Sequence, residues 1–199
     1  MKEILVTAFE PFGGETVNPT EIILRMLPDA THGYTIRKLL LPVEFKRSCE
    51  LALAEYDRLS PSAVIMLGQA GGRSAITPEA TARNVMNASI PDNCGYKPEK
   101  MPIAENGPDT LPASFPVQRI REAIDALGLP CELSDHAGQY VCNTLFYSML
   151  LHNNGAVPTG FIHVPYIREQ RHKDKPFMEL DDILKGILAA IEAVAETIE

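Results

Sequence analysis

Pro130-Cys131-Glu132-Leu133-Ser134-Asp135-His136-Ala137-Gly138-Gln139-Tyr140-Val141-Cys142-Asn143 runs directly into Thr144-Leu145-Phe146-Tyr147-Ser148-Met149-Leu150-Leu151. Residues 130–133 are short and extended in character. The apolar residues Leu145, Phe146, Met149 and Leu150 recur as on one face of a helix. The stretch therefore reads strand, polar glycine-containing loop, helix, with Cys142 near the first helical turn. At that place unpaired backbone N–H groups and the positive end of the helix dipole favour a thiolate, so its pKa is expected to fall from roughly 8.5 toward neutrality. Free cysteine is also among the most buried residue types, so position alone leaves a simple packing role open.

Working outward, the same strand–loop–helix grammar repeats. Lys2 to Ala8 reads as a buried first strand, followed by the irregular turn Phe9-Glu10-Pro11-Phe12-Gly13-Gly14. Asn18-Pro19-Thr20-Glu21 is a helix start: a capping side chain, a proline at the first helical position, and an acid three residues on. Pro28 ends that helix. Tyr34 to Leu41 is a second strand, Glu44 to Leu59 an amphipathic helix, and Ser62 to Leu67 a third strand running into Gly68-Gln69-Ala70-Gly71-Gly72-Arg73. The proline-rich residues 74–112 predict a short strand near Thr81 to Ala88 and then an extended surface excursion. Ser114 is expected to cap a helix to about Leu127, and Thr159 to Val164 to form another strand. Residues 166–178 read as a charged loop, and Asp181 is expected to cap a last helix to about Ile198. Strands and helices alternating at this spacing predict one α/β domain over residues 1–199, a three-layer αβα sandwich on a mostly parallel twisted sheet. Ligands of such sheets bind at the carboxyl ends of the strands, where three of these loops lie.

Composition narrows the function. The 199 residues are 45% hydrophobic and carry 18 Lys plus Arg against 26 Asp plus Glu, a net charge of -8. Without a basic run or a basic–aromatic stripe, a nucleic-acid partner is not expected. Apolar runs such as Ala63 to Leu67 are far too short to span a bilayer, so no membrane partner is expected either. The first residues read as a strand rather than a signal peptide, and the four cysteines (Cys49, Cys94, Cys131, Cys142) fit reduced thiols in a cytoplasmic protein. No C-x-x-C pair and no H-x-x-x-H spacing occurs, so a metal site is not indicated.

A cysteine nucleophile requires a base, usually histidine, and often a third group to orient it. Of the five histidines, His32 sits in a turn, His152 at a helix end and His172 in a charged loop. His136, six residues before Cys142, and His163, ending an apolar strand, remain as candidate bases. Glu79 and Glu105 are both possible orienting acids. Phe9 and Phe12 could pack inward or wall a small flat ligand.

Taken together, these residues resemble pyroglutamyl peptidase type I, a cysteine peptidase family also called pyrrolidone carboxyl peptidase. The resemblance spans nearly the whole chain. It rests on Phe9 to Glu15 with Asn18-Pro19, Gly68 to Arg73, Ile76-Thr77-Pro78-Glu79, Asn84, Ile90-Pro91-Asp92-Asn93, Ala137-Gly138 with Tyr140 to Asn143, and Gly160 to Tyr166. It implies a triad of Cys142, His163 and Glu79 that cleaves the amide bond after an N-terminal pyroglutamyl residue through a thioester, without metal or cofactor. It also implies ring-clamping by Phe9 and Phe12, lactam hydrogen bonds from Asn18 and the Gln69 region, and a further substrate contact from Val141. The Cys142 backbone N–H would serve as an oxyanion donor. Homo-oligomers, tetramers or dimers, are expected from the same resemblance. The chain departs from the family pattern at Ala80, Arg83, Asn87, Ser89 and His136. Ser89 stands where an arginine that assists the oxyanion is typical, so the second donor is left open among Ser89 itself, a water and Arg73. Two alternatives follow: a weakened homologue that binds pyroglutamyl-like ligands, or a thiol amidohydrolase acting on another lactam or amide.

Overall fold

The computed structural model describes residues 2–170 and 174–198, so His172 lies outside the described residues. Six strands form the central sheet: β1 (Lys2–Phe9), β2 (Ala30–Thr31), β3 (Tyr34–Leu41), β4 (Ala63–Gln69), β5 (Thr77–Glu79) and β8 (Thr159–Val164). Their order is β2-β3-β1-β4-β8-β5. The four central strands are mutually parallel, whereas the edge strands β2 and β5 run antiparallel to their neighbours. Helices cover both faces, as parallel strands joined by crossovers require. On one face α1 (Pro19–Met26), α3 (Val117–Ala126) and α5 (Leu180–Ala195) pack Ile23, Ile120, Ile124, Ile187 and Ile191 against Ile4, Val6 and Ile65. On the other, α2 (Phe45–Leu59) and α4 (Val141–Asn153) pack Phe45, Ala52, Leu145 and Phe146 against Leu5, Val64, Met66 and Phe161. Side chains two apart along each strand divide between these cores, which is why the central strands read as unbroken apolar runs.

Local signals formed the elements they announced where the partner was local. Asn18 caps α1, its Oδ1 accepting from Thr20 N at 3.0 Å, with Pro19 in the first turn. Other expectations are corrected. Residues 131–133 form no strand of their own, although the backbone runs alongside β5: Glu132 N donates to Ile76 O at 3.0 Å and Ala80 N to Ser134 O at 2.7 Å. Ser114 is not a helix cap. Its hydroxyl instead accepts from Thr159 N at 2.9 Å, and α3 begins at Val117. Asp181 lies inside the first turn of α5, whose cap position is Glu179. The 166–178 segment includes a small parallel pair, β9 (Tyr166–Ile167) with β10 (Phe177–Met178).

The excursion after β5 is the largest departure. Instead of one strand to Ala88, β6 (Thr81–Arg83) pairs with β7 (Thr110–Pro112), and buried or half-buried polar side chains tie the rest down. Asn143, fully buried on α4, accepts from Arg83 N and donates to the carbonyls of Arg83 and Val85 at 2.8–2.9 Å. Asn84 accepts from the N–H groups of Ile103 and Ala104, and Asp92 accepts from Phe45 N at the start of α2. Backbone without a ladder finds its partners in these side chains, and residues 87–90 become a fixed wall above α4.

Candidate active site

The loops after β1 and β4, the end of β8 and the loop before α4 converge at the carboxyl edge of the sheet. Gly68 and His163 are paired in register on neighbouring strands. A Cβ at position 68 would lie 2.7 Å from the Phe161 ring and 3.0 Å from Cys142 Sγ, so the glycine makes room for the sulfur beside β8. Cys142 is the second residue of α4. Tyr140 at the cap position makes no side-chain capping bond, and no acid occupies the first turn. The first-turn N–H groups therefore point out of the helix end without intrahelical partners.

His163 is 4% exposed and Glu79 is completely buried. His163 Nδ1 lies 2.6 Å from Glu79 Oε1, and Arg73 Nη1 donates to the same oxygen at 2.7 Å. Burial pushes the Glu79 pKa up, but the His163 hydrogen bond and charge, with help from Arg73, more than offset this and hold it below the usual range. The Nδ1 contact to an ionised acid places the neutral imidazole proton on Nδ1 and leaves Nε2 as the acceptor. Burial lowers the His163 pKa despite Glu79, with the positive charge of Arg73 acting in the same direction. The Phe161 ring packs 4.8 Å from the imidazole, centroid to centroid.

Cys142 departs from the sequence expectation: burial, then the nearby charge of Glu79, push its thiol up to about 12. The helix start and Arg73 pull the other way and lose. The resting pair is therefore a neutral thiol and a neutral imidazole, suited to removal of the thiol proton by the imidazole as sulfur attacks.

A cavity of about 460 Å³ opens onto Cys142 and His163, walled by Arg73, Asn87, Ser89, Ile90 and residues 136–140. Beyond Cys142 lies a slot of about 10 Å³. Phe9, Phe12, Asn18, Gln69 and Val141 all line it, as do Val43 and Tyr140, which sequence reasoning did not single out. Tyr140 stacks edge-on against Phe45 at 5.2 Å and lies 6.1 Å from Phe12. Its place beside Val141-Cys142 was the available signal. Asn18 Oδ1 already accepts from Thr20 N and Oγ1, and its Nδ2 donates to Glu10 O, which leaves one Nδ2 hydrogen for a ligand. Gln69 Oε1 accepts from Gln170 Nε2 at 2.8 Å. Ser89 reaches the larger cavity, on its exposed rim.

The remaining candidates fall elsewhere. Glu105 is exposed in a turn, His152 pairs with Asp57 at 2.6 Å, and His32 lies 3.0 Å from the Thr31 hydroxyl. His136, the other candidate base, lines the cavity with Cys142. All four cysteines are free. Among the described residues no group of three or more His, Cys, Asp or Glu could hold a metal ion, and no helix is long and apolar enough to cross a membrane.

The profile of the pyroglutamyl peptidase family matches residues 2–197. The chain belongs to that family. It is 43% identical to pyrrolidone-carboxylate peptidase 1 of Caldanaerobacter subterraneus subsp. tengcongensis, over 98% of both chains. Among solved structures, pyroglutamyl peptidase I of Bacillus amyloliquefaciens superposes with a TM-score of 0.93 at 39% identity, covering 98% of this chain and 95% of that one. The pyrrolidone carboxyl peptidase of Thermococcus litoralis gives 0.94 at 34% identity, covering 98% and 94%. Relatedness to this family of cysteine-type hydrolases thus extends through every element that builds the cavity.

Proposed function

We propose that this protein removes N-terminal pyroglutamyl residues from peptides by thiol catalysis. The observation that carries the reading is the buried His163–Glu79 pair at 2.6 Å, opening onto the same cavity as Cys142. The lactam ring enters the apolar slot between Phe9, Phe12 and Val141, with hydrogen bonds from Gln69 and the remaining Asn18 hydrogen. The slot is smaller than a five-membered ring, so Phe12, partly exposed beside Gly13 and Gly14, swings to admit it. A free N-terminal glutamate would bring charges that this slot desolvates without a partner.

His163 Nε2 takes the thiol proton as Cys142 Sγ attacks the pyroglutamyl carbonyl. The oxyanion is met by the Cys142 backbone N–H and by Ser89. The imidazolium, steadied by Glu79, gives its proton to the departing amine, leaving a thioester. His163 then takes a proton from water, whose oxygen attacks the thioester; 5-oxoproline is released and the thiol is restored. The groups needed are all side chains and backbone of this chain, so no cofactor is invoked. A cytoplasmic location keeping the thiol reduced, and assembly into a homodimer or homotetramer, belong to the same reading; light scattering on the purified protein tests the latter.

Release of a fluorescent amine from pyroglutamyl-aminomethylcoumarin under reducing conditions is the direct test. Turnover that disappears in Cys142→Ala and after alkylation supports the reading. Folded protein with an alkylatable Cys142 and no turnover above the variant overturns it. One observation favours a second reading, ligand binding without turnover: the Ser89 position presents an uncharged hydroxyl on the rim rather than a cation. Tight lactam binding in that inactive case would establish it.

A further inference from the structure

Cys142 lines both the narrow slot and the larger cavity. With the acyl half of a substrate in the slot, the half that departs as an amine lies in the larger cavity. The polarity of that cavity is one-sided. Although the chain carries a net charge of -8, no Asp or Glu lines it. Three of its side-chain acceptors already hold a hydrogen bond. Gly138 N donates to His136 Nδ1 at 3.3 Å, Asn87 Nδ2 donates to Gln139 Oε1 at 3.1 Å, and Lys100 N donates to Asn87 Oδ1 at 3.3 Å. Beside the Ser89 hydroxyl, which can donate or accept, what remains on this wall is donors. His136, with Nδ1 accepting, carries its proton on Nε2, and Gln139 presents its Nε2 hydrogens. Neither group has another partner among the described residues, and both side chains are exposed. Arg73, whose Nη1 is held by Glu79, adds positive charge at the same wall.

We propose that His136 and Gln139 form a carboxylate-binding subsite for the leaving half of the substrate. The preferred substrates then carry a carboxylate on the residue following pyroglutamate, either the free C-terminus of a dipeptide or an acidic side chain. A row of donors in a cavity that no acid lines selects an anionic acceptor over a neutral amide, because charge-assisted hydrogen bonds are about twice as strong as neutral ones. This inference rests on the peptidase reading above.

The test compares KM for pyroglutamyl-alanine, pyroglutamyl-alanine amide and pyroglutamyl-aspartate amide, followed by release of 5-oxoproline. The expected result is a KM about tenfold lower for at least one carboxylate substrate than for the alanine amide. A preference confined to pyroglutamyl-alanine assigns the subsite to a C-terminal carboxylate, and one confined to the aspartate amide assigns it to an acidic side chain. In His136→Ala the ratio of KM values falls toward one, whatever happens to kcat, and Gln139→Ala lowers it in part. Equal KM values for all three substrates in the unaltered protein, or a ratio that survives His136→Ala, would overturn the subsite while leaving the peptidase reading intact. Failure to cleave any of the three removes the peptidase reading itself.

Discussion

Glu79 accepts from two directions at one oxygen, from His163 Nδ1 at 2.6 Å and from Arg73 Nη1 at 2.7 Å. Its charge raises the His163 pKa, against burial, which lowers it more. The acid limb of kcat/KM is therefore expected below the ordinary histidine value of 6.5. Replacing the carboxylate by an amide in Glu79→Gln removes the raising influence, so the limb moves to still lower pH. It also offers Nδ1 a donor as readily as an acceptor, and loss of the correct tautomer costs roughly two to four orders of magnitude in kcat. A pH–rate profile of the variant checks both at once. A limb that stays in place would mean that His163 is not the titrating base.

At the scale of elements, two contacts hold the site in shape. Asn143 fixes α4 to the wall above it through three backbone groups of Arg83 and Val85. Asn143→Ala leaves Arg83 N and Val85 O without their Asn143 partner, while Arg83 O keeps its bond from Val85 N, with an expected loss of about 2–4 kcal/mol in urea unfolding. Because residues 87–90 hang from that anchor, KM is expected to rise as well. Gly68 sets how closely α4 approaches β4. Gly68→Ala places a methyl 2.7 Å from the Phe161 ring and 3.0 Å from Cys142 Sγ. Overpacking of this kind costs about 1–3 kcal/mol, and a sulfur moved by about 1 Å loses roughly a hundredfold in rate. A kcat that falls about a hundredfold while KM changes little and the unfolding midpoint drops by no more than this cost would show displacement of the thiol rather than damage to the fold. These elements also show what the sequence could disclose. The Asn18-Pro19 helix start was readable because its partner, Thr20, is two residues away. Ser114 looked equally like a cap, yet its hydroxyl serves Thr159, 45 residues on. The excursion looked loose because Asn84, Asp92 and Asn143 each reach a backbone partner 19 to 60 residues away in the chain. Cys142, His163 and Glu79 were nameable through a resemblance, since no local pattern links positions on α4, β8 and β5. The thiol's raised pKa depended on burial that only packing creates.

For the whole molecule, ionisable groups sealed between sheet and helices make stability depend on pH from both sides. His163 has a folded pKa below its ordinary 6.5, so as pH falls through that value the unfolded chain gains a proton that the folded chain resists, and stability drops. Glu79, also lowered, adds to the loss at still lower pH, as its ion pair is protonated away. The alkaline side has the opposite sign. Burial raises the thiols of Cys131 and Cys142 from 9.0 to about 12, so above pH 9 the unfolded chain releases protons that the folded chain retains. Each such thiol contributes a loss of about 1.4 kcal/mol by pH 10, one unit past its ordinary value. Thermal unfolding is thus expected to show a plateau between about pH 6.5 and 9, with Tm falling on either side. Cys131, 8% exposed in the core that α3 and α5 share and not among the residues lining the cavity, isolates the alkaline limb. Cys131→Ala lowers Tm at every pH by the packing it removes, but the drop from pH 8 to pH 10 shrinks by that one thiol's share. An undiminished drop would place the alkaline sensitivity in other groups, and an acid limb that survives in Glu79→Gln but begins at lower pH would tie the opposite flank to the His163 pair.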